Sequence, residues 1–166
     1  MTDWLHPALL MLLGALLIGP ARGTLRSALV LLVPLLTLAV IWRVPDGIQW
    51  SVQFLQYPIE LIEGSPVRRL FATIFALMAF AGGLYAYRQA RWFELAAAYA
   101  YAAGAIGVSF AGDLITLFLF WELMALFSTV VVWCGAVSYT HLRAHETERL
   151  ISYAVFCLKK GGGGGG

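Results

Sequence analysis

The sequence predicts an all-α integral membrane protein of about five transmembrane helices, with a short extramembrane β-hairpin between the second and third. Three observations carry that expectation. Hydrophobic residues make up 61% of the chain and charged residues 12%, against the ~25% charged residues of ordinary soluble domains, and the mean hydropathy is +0.81. The apolar residues come in long runs separated by short turns that hold most of the charge. Between the second and third runs the pattern changes to a strict alternation. Helices suit the runs, because a helix satisfies every backbone N–H and C=O within its own segment, as hydrocarbon requires.

The first segment, residues 4–20, is nearly unbroken Leu and Ala and lies near the short end of the ~17–25 residues a spanning helix needs. Asp3 rather than a basic stretch precedes it and no small-residue cleavage site follows, so it reads as a retained helix and not a signal peptide. Gly19 and Pro20 break it, and Arg22 and Arg26 follow. The second segment, residues 27–42, contains Pro34. A proline there should kink the helix and free a carbonyl that neighbours must satisfy. Trp4 and Trp42 stand where interfacial aromatics are expected.

Within residues 47–63, Ile48, Trp50, Val52 and Phe54 alternate with Gln49, Ser51 and Gln53. This is the period of a half-buried strand. Tyr57, Ile59 and Leu61 continue it beyond a break at Gln56, and Pro58 marks that arm as an edge. The remaining segments cover residues 69–87, 92–110 and 114–133. The third pairs Ala72 with Ala76 and Ala79 with Gly83; the fourth pairs Ala100 with Gly104 and adds Ala103 and Gly107. Small residues at this spacing let helix backbones approach closely.

After Gly135 the composition changes abruptly, and the chain divides into residues 1–135 and 136–166. The second part holds both lysines, two of the three histidines and six terminal glycines. VSYTHLRAHET resembles the translation of a transposase-type sequencing adapter, ISYAVFCLKK the adapter beyond its index, and the glycines a poly-G read. Residues 136–166 are therefore expected to be non-native and disordered, and are set aside from functional reasoning. Residues 1–135 then hold seven arginines, seven carboxylates and no lysine. That neutrality argues against nucleic acid or another anionic partner. The first and third loops carry Arg22, Arg26, Arg88 and Arg91, the second carries Arg43, Arg68 and Arg69, and the fourth carries none. The positive-inside rule puts the first and third loops in the cytoplasm and the N-terminus outside.

Glu122 is the candidate functional residue. It stands nine residues into an apolar run, about 12 Å along the helix, where a carboxylate costs roughly 3 kcal/mol and is mostly functional. Its helical face holds Ile115, Phe118, Leu119, Ala125, Leu126 and Thr129; Ala125 leaves room for water or a partner, and Thr129 is placed to order that water. A protonated glutamate hydrogen-bonded to a neighbouring helix is the structural alternative. Asp113, after Gly112, is placed to cap the fifth helix and complement its dipole; a position at the mouth of a conduit is its weaker reading. His6, just before Pro7, reads as interfacial, and Arg91 and Glu94 as headgroup-level residues. Cys134 and Cys157 form neither a metal-ligand spacing nor a disulfide framework. With no phosphate-binding glycine loop and no nucleophile–base set, neither cofactor nor metal is expected.

FAGDLITLFLFWELMALFSTVVVWCG, with FWELMAL at its core, resembles the fifth membrane helix of the proton-conducting membrane transporter family. That family comprises the antiporter-like L, M and N components of NADH-quinone oxidoreductase, membrane subunits of related hydrogenases, and large subunits of Mrp-type Na+/H+ antiporters. SPVRRLFATIFALMAFAGGLYAY is similar to the third-helix region of a large Mrp-type antiporter subunit. The resemblance covers residues 1–135, as the N-terminal part of such a subunit. It implies a multi-pass protein of a bacterial inner membrane that assembles with lipid and other membrane subunits and handles protons and Na+. Glu122 would match the family's fifth-helix glutamate, which interacts with a lysine two helices later and gates a proton relay. A subunit of a redox-driven proton pump is the alternative function, an enzyme complex in which this chain would hold no redox cofactor. A structural membrane anchor is the other.

Overall fold

The computed structural model describes residues 5–54 and 56–135. By its contacts the chain divides into two units, Met1–Val131 and Val132–Gly166, and the packing below is that of the first. Trp4 and the adapter-like residues 136–166 lie outside the described residues. The elements follow in the order α1 (Pro7–Ile18), α2 (Thr24–Ile41), β1 (Gly47–Phe54), β2 (Tyr57–Gly64), α3 (Pro66–Ala86), α4 (Trp92–Phe110) and α5 (Leu114–Gly135).

Four of the helices, α2 to α5, are long and apolar enough to cross a membrane. The expectation of about five is corrected at α1, which has 12 residues and so a length of about 18 Å against a hydrocarbon core of ~30 Å. Pro7 starts it at a position where the missing N–H is not needed, His6 caps it, and Gly19 and Pro20 stop it. α2 and α3 begin earlier than their hydropathy suggests. At α3 the reason is local: the Ser65 side chain accepts from the Arg68 N–H at 3.3 Å and Pro66 fills the first turn, so the helix starts ahead of its two arginines.

α4 is the centre of the bundle. It packs against α1 and α3 and touches β2, while α2 bridges α1 and α3. Its Ala- and Gly-rich sequence permits this: Ala100, Ala103, Gly104 and Gly107 are all buried, as are Ala72, Ala76 and Gly83 on α3. α5 packs on α4 through the same small residues. A Cβ at Gly104 would stand 2.9 Å from the Met124 nitrogen, and one at Gly107 would run into the Phe120 ring. Of the most apolar 18-residue window in each helix, 61% is buried in α4 but 6% in α5.

Pro34 removes the N–H that would bond the Val30 carbonyl four residues earlier. Tyr99 of α4, 2% exposed, donates its hydroxyl to that carbonyl. A carbonyl that a proline leaves without its helical donor is thus matched by a donor from another helix.

The hairpin forms, with β1 and β2 antiparallel and Phe54 opposite Tyr57, Val52 opposite Ile59 and Trp50 opposite Ile62. Gln56 takes the left-handed conformation (φ 71°) in the turn, which accounts for the break in the alternation there. The expected half-burial of β1 is corrected. Trp50, Val52 and Phe54 are exposed, because only the base of the hairpin, at Ile62 and Gly64, is buried.

Candidate functional site

Two carboxylates belong to the α5 stretch, one just before its start and one near its middle. Asp113 precedes the helix. One of its oxygens accepts from the backbone N–H groups of Ile115 (2.8 Å) and Thr116 (3.0 Å), closing the first turn. The other accepts from the Thr116 hydroxyl (2.6 Å) and from the Glu60 backbone N–H of β2 (2.8 Å). Burial pushes its carboxyl up, but the donors from Thr116, Glu60 and Ile115 outweigh this and hold it below the ordinary value.

Asp113 belongs to a larger polar clasp around β2. The Gly112 N–H donates to the Glu60 carbonyl at 3.0 Å. Arg68, at the start of α3, donates to the Ala111 carbonyl and pairs with Glu63 at 2.5 Å. His6 closes the clasp from α1. It is 2% exposed, buried within the protein. Its Nδ1 accepts from the Ala8 N–H (3.1 Å) and its Nε2–H donates to the Leu61 carbonyl (3.2 Å). These partners fix the neutral tautomer. Its ring lies 5.2 Å from that of Phe120 and meets Phe110 edge-on. Burial, opposed by the Leu61 hydrogen bond, pushes its pKa down to about 4.

Glu122 is different. Phe120 and Met124 turn toward α4, and a residue two positions from Phe120 falls on the opposite side of the helix. Glu122 is exposed there together with Ile115, Phe118, Leu119, Ala125, Leu126 and Thr129, the full face that helical spacing assigns to it. Among the described residues the ion pairs are Arg68–Glu63 and Arg69–Asp46, and neither involves Glu122. α1 to α4 therefore do not enclose it. Thr129 bonds its own helix, donating to the Ala125 carbonyl at 3.0 Å, and lies about 10 Å further along α5. Glu122 and Thr129 share a face and not a contact.

Other sequence candidates have local roles. Glu94 accepts from the Arg91 backbone N–H at 3.2 Å and so caps α4. Among the described residues no group of three His, Cys, Asp or Glu is placed to hold a metal ion. The clasp residues Glu60, Glu63, Arg68 and His6, and the Tyr99–Val30 pair, do not stand out in the sequence. Two signals point to them: a proline inside an apolar run calls for a donor to the residue four before it, and a histidine directly before a helix-starting proline is an N-cap candidate. Compared with protein-family models, curated proteins and solved structures, the chain matches none.

Proposed function

We propose that this chain is the N-terminal part of a membrane subunit that translocates protons in exchange for a monovalent cation, with Glu122 as a proton-relay residue. The observation that carries the proposal is the position of Glu122: near mid-length of a 22-residue helix long and apolar enough to cross a membrane, on a face that α1 to α4 leave open. In a bilayer that carboxylate would sit too deep to reach water, so it needs either a proton or a cationic partner. A lysine ammonium brought up by a neighbouring helix would favour the carboxylate, and its withdrawal would favour the acid. One approach and withdrawal releases one proton and takes up one, and this becomes transport when uptake and release face opposite sides of the membrane. Residues 1–135 contain no lysine, so in this reading the partner comes from another segment or subunit. The resemblance of FWELMAL to the fifth helix of the proton-conducting transporters supports the same assignment.

Glu122→Gln in the assembled transporter tests it, with proton and Na+ flux read in proteoliposomes. Flux is expected to fall by about 100-fold, in the range for loss of a proton-transfer group, with assembly and stability unchanged. Normal flux in a normally assembled Glu122→Gln variant would sink the relay role and leave Glu122 a helix-association residue.

A further inference from the structure

The two ends of the bundle treat their arginines differently. At the hairpin end Arg68 pairs with Glu63 and Arg69 with Asp46 at 2.6 Å. At the other end the α1–α2 and α3–α4 connections and the start of α2 carry Arg22, Arg26, Arg88 and Arg91, and among the described residues none of these forms an ion pair. Glu94, the carboxylate nearest to them in sequence, is engaged by the Arg91 backbone N–H. The overall neutrality of residues 1–135 thus conceals a hairpin end where two of three arginines are paired and another end where, among the described residues, none of four is.

Two of these arginines converge on one open cleft. Arg26, in the first turn of α2, and Arg88, just beyond α3, line it together with Gly23, Thr24, Ser27 and Tyr87. The Arg88 guanidinium lies 5.3 Å above the Tyr87 ring, which restrains it. Thr24 and Ser27 supply hydroxyl donors, and no side chain caps α2 at Gly23. Exposed apolar side chains neighbour the lining residues along the chain: Leu25 between Thr24 and Arg26, and Leu84 and Tyr85 in the last turn of α3 ahead of Tyr87.

We propose that this cleft binds the phosphate of an anionic phospholipid headgroup, with the acyl chains lying on the apolar surface beside it. The inference rests on the reading of α2 and α3 as membrane spans, which places the cleft at headgroup depth. Guanidinium forks from two different elements match a phosphate, and basic pockets between spanning helices are the usual setting for such lipids. A free phosphate would satisfy the arginines but would have no use for Leu25, Leu84 and Tyr85.

The test reconstitutes the full chain in nanodiscs of mixed phosphatidylglycerol and phosphatidylcholine and measures the ratio of the two lipids retained on the protein. Phosphatidylglycerol should be enriched. Removing each of Arg26 and Arg88, as R26Q and R88Q, should reduce the enrichment about fivefold, the effect of one basic group at an anionic surface. R26K/R88K should retain part of it, and R43Q, at the hairpin end, all of it. Millimolar inorganic phosphate should not displace the lipid. Undiminished enrichment in R26Q/R88Q overturns the proposal, and complete displacement by phosphate reassigns the cleft to a free anion. A wild-type chain that enters phosphatidylcholine bilayers without preferring phosphatidylglycerol overturns the lipid site alone. One that enters no bilayer overturns the membrane reading as well.

Discussion

Asp113 and Glu122 belong to the same stretch of chain and live in opposite circumstances. Asp113 accepts four hydrogen bonds, three from its own helix start and one from β2. Glu122 stands exposed on a face whose other members are mostly apolar. At the helix end, the chain supplies every partner its carboxylate needs, and the result is a joint: β2, α3, the α4–α5 turn and α1 all meet in the clasp that Asp113, Arg68 and His6 form. In the middle of α5 the described residues supply Glu122 with none. A carboxylate with its own donors stabilises the fold, whereas one without them must be completed from outside, and the two should respond to perturbation in separable ways.

The largest separation is expected in acid. His6 is held neutral, with its folded pKa near 4 below the ordinary 6.5 of an unfolded chain. Above pH 6.5 neither state takes up the proton, and the stability contributed by the buried neutral ring is fully present. As pH falls from 6.5 to 4 the unfolded chain protonates and the folded one does not, so stability drops by roughly 1.4 kcal/mol per unit, about 3 kcal/mol in all. Asp113, held below the ordinary 3.8, loses its contribution only as pH falls below that value, so the two members of the clasp titrate in different windows. Denaturation in detergent across pH 7 to 4 should show the loss. His6→Asn, which keeps a capping oxygen, should be less stable at neutral pH yet much flatter across that range. An equal slope in wild type and His6→Asn would remove His6 from the clasp.

Next in size is the direct contrast of the carboxylates. Asp113→Ala removes a helix cap and leaves the Glu60 N–H without its acceptor, and should cost about 2 kcal/mol. Glu122→Ala should change unfolding stability by no more than ~0.5 kcal/mol, since Glu122 has no partner among the described residues. The comparison breaks if the two substitutions cost the same.

How far the sequence reveals these differences depends on whether a residue's role is local. The helices α2 to α5, the hairpin and the Asp113 cap follow from patterns within a few residues of one another, so they can be read. So can the face of Glu122, because helical spacing alone sets which residues share it. The clasp cannot: Glu60 and Asp113 are brought together by the fold, and no spacing along the chain relates them. Hydropathy overstates α1 because it runs on through Gly19 and Pro20, where the backbone stops. It overstates the burial of β1 because alternation shows that a strand has two faces and not whether anything covers the apolar one.

Tyr99 offers the smallest effect and the finest test of the principle. Its hydroxyl answers a carbonyl that Pro34 leaves open, deep among apolar side chains, so it is a polar group of the bundle interior that is fully satisfied. Tyr99→Phe should cost about 1–2 kcal/mol, the penalty for orphaning one buried acceptor. Pro34→Ala restores an N–H four residues after Val30, so the helix can bond its own carbonyl and Tyr99 becomes dispensable. In that background Tyr99→Phe should cost about 0.5 kcal/mol or less, giving a coupling of roughly 1 kcal/mol in the double-mutant cycle. If Tyr99→Phe costs the same with and without Pro34, the hydroxyl is not there to serve the carbonyl that Pro34 frees. Within one bundle, then, the interior hydroxyl is expected to count for stability and not for flux, and the exposed carboxylate of Glu122 for flux and not for stability.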